Sequence, residues 1–272
     1  MPSNALDLNN LRLAVLIDAE NVPRNCIKSV LEEIAIYGTP TVKRIYGDWT
    51  SPAISGWKTS LLENAITPIQ QYSYTSGKNS SDSAMIIDAM DILYSDKTDG
   101  FVIVSSDSDF TRLAIRLREA GQRVIGIGER KTPTAFIAAC DKFTYIEVIR
   151  DNAENADVDH EHDITNDGEF NKSTAAQKEK SSAGSRQRGM KVPENVVQLI
   201  ADSVADLAGD NGAVFMGELG NLILKKQPAF DHRNYGYKSL SSLIKSIDRF
   251  EIDFRGTTDP NIKHVYVRDK EA

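Results

Sequence analysis

The chain has 272 residues, 40% apolar and 26% charged, with a formal net charge of −7. That length suits two domains, and that composition suits water-exposed globular folds. The acidic balance excludes a chain that binds nucleic acid through overall positive charge. No apolar run approaches the roughly 18 residues needed to cross a bilayer. The start, "MPSNALDLNN", lacks the basic and apolar order of a signal peptide. Cys26 and Cys140 lie far apart, without metal-ligand spacing. They read as two buried thiols of a reducing cytosol, so a cytoplasmic location is expected.

In chain order, "RLAVLI" predicts a first strand that ends at Asp18. Pro23 then opens a helix to about Tyr37, since proline fits a first turn whose N–H would be unpaired. "TVKRIYGD" predicts a second strand, "GWKTSLLENA" a helix, and "ITPIQQYSY" a third strand with Pro68 near its edge. The polar loop "TSGKNSS" leads into a helix over 81–95. "GFVIVSS" predicts the fourth strand, ending at Asp107. A helix from about Asp109 stops at Gly121, which suits the residue past a helix end. "RVIGIG" is the fifth strand, Pro133 starts another helix, and "YIEVI" closes the domain. This alternation predicts an α/β fold, a doubly wound parallel sheet covered on both faces. Ligands of such sheets bind beyond the carboxyl ends of the strands, where the winding reverses.

The candidate site residues are carboxylates. Asp18 and Asp107 each close an apolar strand, a costly place for an acid without a partner. On a wheel of helix 81–95, Ile86, Ala89 and Leu93 fall within about 40° of Asp82. Asp82 therefore lies on the inward stripe, while Asp88 and Asp91 point toward water. Asp82 and Asp109 also have a plain explanation, since acids satisfy free N–H groups at helix starts. Asn21, three residues after Asp18, offers an amide to a water or a phosphate. Carboxylates converging in one cleft repel each other unless a cation sits among them. Oxygen ligands without His or Cys suit Mg²⁺ or Mn²⁺. Such ions assist phosphodiester hydrolysis.

"LIDAENVP", "KNSSDSAMIIDAMD" and "VIVSSDSDF" together resemble the successive motifs of the NYN family of PIN-like nucleases. The resemblance covers about residues 12–149. It implies strand order 3-2-1-4-5 and metal-dependent RNA hydrolysis. Carried over by motif, the acids fall on Asp18, Asp82 and Asp107 as metal ligands, with Asp109 as a fourth acid and Asn21 as polar helper. Ser106 stands where many relatives carry glycine. Lys78, in the loop before Asp82, is a candidate for positioning a phosphate.

Residues 151–169 carry eight acids and no base, and residues 172–191 carry six bases against one acid. Few large apolar residues lie there, so 150–190 is expected to be a disordered charged linker. His160 and His162 read as solvated linker histidines. Beyond it, "VPENVVQLIADSVADLA", "MGELGNLILKK" and "YKSLSSLIKSI" predict helices, and "FEIDF" and "KHVYVR" a hairpin. That order describes a winged-helix domain over 191–272, after a first domain of 1–149. The stretch "ELGNLILKKQPAFDHRNYGYKSLSSLIKS" resembles the LOTUS, or OST-HTH, domain, which implies RNA binding or docking of a protein partner. Lys225, Lys226, Arg233, Lys238 and Lys245 gather around Tyr235 and Tyr237 in sequence, with cations for phosphates and rings for unpaired bases. The alternative for them is ordinary packing and a solvated face.

Together these readings predict a divalent-metal endoribonuclease with a tethered RNA-binding module. The alternative is a non-catalytic RNA-binding adaptor with a degenerate PIN-like domain. A Toprim fold would want glutamate at Asp18, and a haloacid dehalogenase would want D-x-D where this chain has "DAE".

Overall fold

The structure is a computed structural model that describes residues 11–72, 80–161, 191–209, 212–256 and 263–272. The chain forms two compact units. One is built on a six-stranded sheet, and the other on a three-stranded sheet.

The first unit opens with β1 (Leu11–Asp18), α1 (Ile27–Ala35) and β2 (Gly38–Gly47). It continues with α2 (Lys58–Glu63), β3 (Thr67–Gln70) and α3 (Ser80–Tyr94). Then come β4 (Gly100–Val104), α4 (Thr111–Glu119), β5 (Arg123–Gly128), α5 (Thr134–Ala139), β6 (Lys142–Tyr145) and α6 (Ile146–Glu161). The order across the sheet is β3-β2-β1-β4-β5-β6, and every neighbouring pair is parallel. The expected order holds, with β6 added at the edge. Strands buried on both faces read as continuous apolar runs. β4, "GFVIV", is buried along its whole length. Leu13, Val15 and Ile17 of β1 pack on one face with Val30 and Ile34 of α1. Ala14 and Leu16 pack on the other with Met85 and Ala89 of α3 and Leu117 of α4. Period-two alternation thus sends one strand's side chains into two separate cores.

Punctuation falls where the residues predict it. Pro23 and Pro133 precede helical turns, and Gly121 takes a φ of 82° after α4. Gly128 is required by space, since a Cβ there would lie 2.6 Å from the Ser105 carbonyl oxygen. Two details differ from expectation. Asp88 is not turned to water: its carboxylate takes the Arg44 guanidinium and the Tyr46 hydroxyl, both on β2. The wheel places Asp88 away from the centre of the apolar stripe, but β2 supplies polar partners on that side. The second difference is α6, which continues past Arg150 to Glu161 into the expected linker. The rest of that linker, 162–190, lies outside the described residues.

The segment beyond residue 190 contains α7 (Glu194–Leu207), β7 (Ala213–Phe215), α8 (Met216–Lys226), α9 (Leu240–Lys245), β8 (Phe250–Gly256) and β9 (Lys263–Asp269). Its sheet order is β7-β9-β8, with antiparallel pairs. The expected hairpin therefore gains a third short strand, an arrangement compatible with a winged helix. Ser239 caps α9 through a reciprocal bond with Ser242. No helix among the described residues is long and apolar enough to cross a membrane.

Candidate active site

β1 and β4 are neighbours, yet the chain leaves them toward opposite edges of the sheet. Their carboxyl ends form the crevice in which the acids meet. Asp18 ends β1 and is 2% exposed. Burial at that level demands partners. Its Oδ1 accepts the backbone N–H groups of Glu20 and Asn21 at 3.0 and 3.3 Å. Its Oδ2 accepts the Asn21 amide at 2.7 Å and the Ser105 hydroxyl at 2.9 Å. Asn21 is thus a partner of Asp18, and one N–H of its Nδ2 remains for another acceptor.

Ser105 ties the two strand ends together. While donating to Asp18, its Oγ accepts the N–H of Asp107 at 3.1 Å. Asp107 then caps the short turn Ser108–Phe110, its Oδ1 accepting the Asp109 N–H at 2.9 Å. Ser106 is buried and accepts the Glu129 N–H at 2.8 Å, so its hydroxyl links this loop to the end of β5. The sequence reading names Ser106 only as standing in place of a glycine and passes over Ser105. The signal was their place between a buried strand and two acids in "VSSDSD".

Asp82 sits in the first turn of α3 and is 8% exposed. One carboxylate oxygen each from Asp82, Asp107 and Asp109 lie within 4.8 Å of one another. Asp107 is half-buried and Asp109 exposed. The cluster therefore has a buried floor and an open mouth. Burial pushes the Asp82 carboxyl up to about 6, helped by the charges of Asp18, Asp107, Asp109 and Glu20. Glu20 is raised as well, by burial and then by Asp18 and Asp48. Asp82, Asp107 and Asp109 form the tight group, and Asp18, expected as a ligand beside Asp82 and Asp107, is the strongest charge acting on Asp82. Four donors occupy Asp18.

Residues 12–147, half of the chain, match the family model of the NYN domain. The chain belongs to the NYN domain family. Residues 191–262 match the OST-HTH/LOTUS domain. Among solved structures, a protein of unknown function from Vibrio parahaemolyticus is 20% identical over 54% of this chain and 96% of that one, at a TM-score of 0.44. An uncharacterised protein from Nitrosomonas europaea is 29% identical over 38% of this chain and 92% of that one, at a TM-score of 0.28. Neither likeness is strong enough to bear on fold or function. No curated protein matches the chain.

The NYN domain supplies the oxygen-only cluster, and that donor set fits a hard divalent cation. Lys78, the candidate phosphate contact, lies outside the described residues. In the OST-HTH/LOTUS segment, Lys225 and Lys226 are exposed in the last turn of α8, and Lys238 and Lys245 are exposed too. Tyr235 and Tyr237 are half-buried. Arg233 is committed elsewhere: its guanidinium grips buried Asp231 at 2.6 Å. That pairing orders the turn His232–Tyr235, where Asp231 also accepts the Arg233 N–H.

Proposed function

We propose that this NYN protein is a Mg²⁺- or Mn²⁺-dependent endoribonuclease whose OST-HTH/LOTUS domain holds RNA. The observation that carries the reading is the convergence of Asp82, Asp107 and Asp109, one carboxylate oxygen of each within 4.8 Å of the others, with the Asp82 carboxyl raised to about 6 by burial and the neighbouring acids. A site so arranged favours a divalent ion. Asp82, Asp107 and Asp109 would hold it, with Asp18 reinforcing the field from behind. When bound, such an ion lowers the pKa of a water and offsets charge on the leaving oxygen.

The chain's own residues do the rest. Ser105 and Asp18 fix the two strand ends, so Asp107 keeps its place relative to Asp82. Asn21 retains one amide hydrogen for a water or a phosphate oxygen. The open side at Asp109 admits a polymer rather than enclosing a small molecule. Domain limits of 1–149 and 191–272 around a linker of 150–190 accompany this reading. The two free buried thiols suit a cytoplasmic protein.

Asp107→Asn keeps the capping oxygen and removes one charge. Labelled RNA is expected to be cut by the parent protein with Mg²⁺ and spared with a chelator, while the variant folds normally and cuts nothing. Full Mg²⁺-dependent cleavage by the variant would end the assignment.

A further inference from the structure

Beside the acid cluster runs an open cleft of about 890 Å³ between the segment after β1 and the turn that follows β2. That volume falls in the range of ligand clefts. Its floor is apolar, built from Ala19, Val22, Ile54 and Trp57, all buried. Glu20 lines it and also acts on the charge of Asp82, so the cleft lies within electrostatic reach of the cluster. Asp48 lines it too, but its Oδ1 is occupied by the Thr50 N–H, the Thr50 hydroxyl and the Gln70 amide.

Arg24 is the only cation in this lining. Among the described residues no acid pairs with it. Its guanidinium lies against Gly56, where an added Cβ would stand 1.7 Å from Nη1 and 2.9 Å from Cζ. The glycine thus leaves the room that the guanidinium fills. Asn25, next in sequence, lines the same cleft. Arginine presents a planar fork of donors matched to phosphate oxygens, and among the described residues no hydrogen bond or ion pair uses that fork.

We infer that Arg24 is a positioning residue that grips an RNA phosphate adjoining the scissile one, with the attached nucleotide lying on the apolar floor of the cleft. The inference rests on the nuclease reading of the neighbouring acids. The test measures binding and turnover separately on the full chain. In an Asp107→Asn background, binding of a short labelled single-stranded RNA is followed by fluorescence anisotropy with Mg²⁺ present. Arg24→Gln is expected to weaken binding about five- to tenfold, the scale of one charge-assisted phosphate contact. Gly56→Ala, which displaces the guanidinium without removing it, is expected to weaken it in the same direction. Arg123→Gln, at the opposite end of the sheet, is expected to bind as the background does. With Asp107 intact, Arg24→Gln raises KM and leaves kcat nearly unchanged, and Arg24→Lys recovers part of the loss. Unchanged binding and unchanged KM in Arg24→Gln overturn the proposal. Failure of the parent protein to cut RNA with Mg²⁺ instead sinks the nuclease reading, persistent cleavage by Asp107→Asn sinks the site assignment, and in both cases the anisotropy result still judges Arg24.

Discussion

Replacing Asp82 by Asn should make the metal-free protein more stable while destroying its activity. The Asp82 carboxyl is raised from 3.8 to about 6 in the folded state. Between those two pH values the native protein holds a proton that the unfolded chain has released. Stability therefore falls as pH rises through this window, and the charged form carries a cost at neutral pH. Raising the carboxyl from 3.8 to about 6 corresponds to about 3 kcal/mol. Asp109 opens the site to water, so screening lowers the working figure to about 1–2 kcal/mol. Denaturant melts with chelator present are the assay. At pH 7.5 Asp82→Asn should exceed the parent by that amount, and near pH 4 the two should converge. The parent, not the variant, should gain about 1.4 kcal/mol from Mg²⁺ at ten times its Kd. A variant that is less stable than the parent at every pH would show that Asp82 is a structural cap, and the electrostatic reasoning would fail.

Ser105→Ala removes the hydroxyl that joins Asp18 to the Asp107 loop. It should cost about 1–3 kcal/mol, read in denaturant melts, and lower kcat more than it raises KM. Tyr46→Phe withdraws one donor from Asp88. A loss of about 1–2 kcal/mol without any change in metal affinity is expected, since Arg44 still pairs with that carboxylate. Arg233→Gln strands buried Asp231 and should destabilise the second unit by about 3 kcal/mol, visible as a lower melting transition. Lys225 and Lys238 are the cleaner positions for testing RNA contacts there, because both are exposed and no ion pair among the described residues involves them.

The sequence by itself determined the parallel sheet, because strands buried on both faces must be apolar throughout, and "LAVLI" and "GFVIV" are. It placed Asp18 at a strand end and Asp82 on the inward stripe of α3, since both follow from periodicity. It also marked the helix starts at Pro23 and Pro133 and the stop at Gly121, where backbone chemistry acts over a few residues. It did not reveal which carboxylate oxygens lie closest together. That depended on the tight turn of Ser108–Phe110, which brings Asp109 beside Asp107 and Asp82. Nor did it expose the partners of Asp88, two donors more than forty residues earlier in the chain. Arg233 and Arg24 make the same point. One basic residue is consumed by a buried acid two positions away, and the other, without a partner among the described residues, lies over a glycine. Local propensity and periodicity are written along the chain, whereas the allocation of each charge to a partner is settled only when distant segments come within hydrogen-bonding distance.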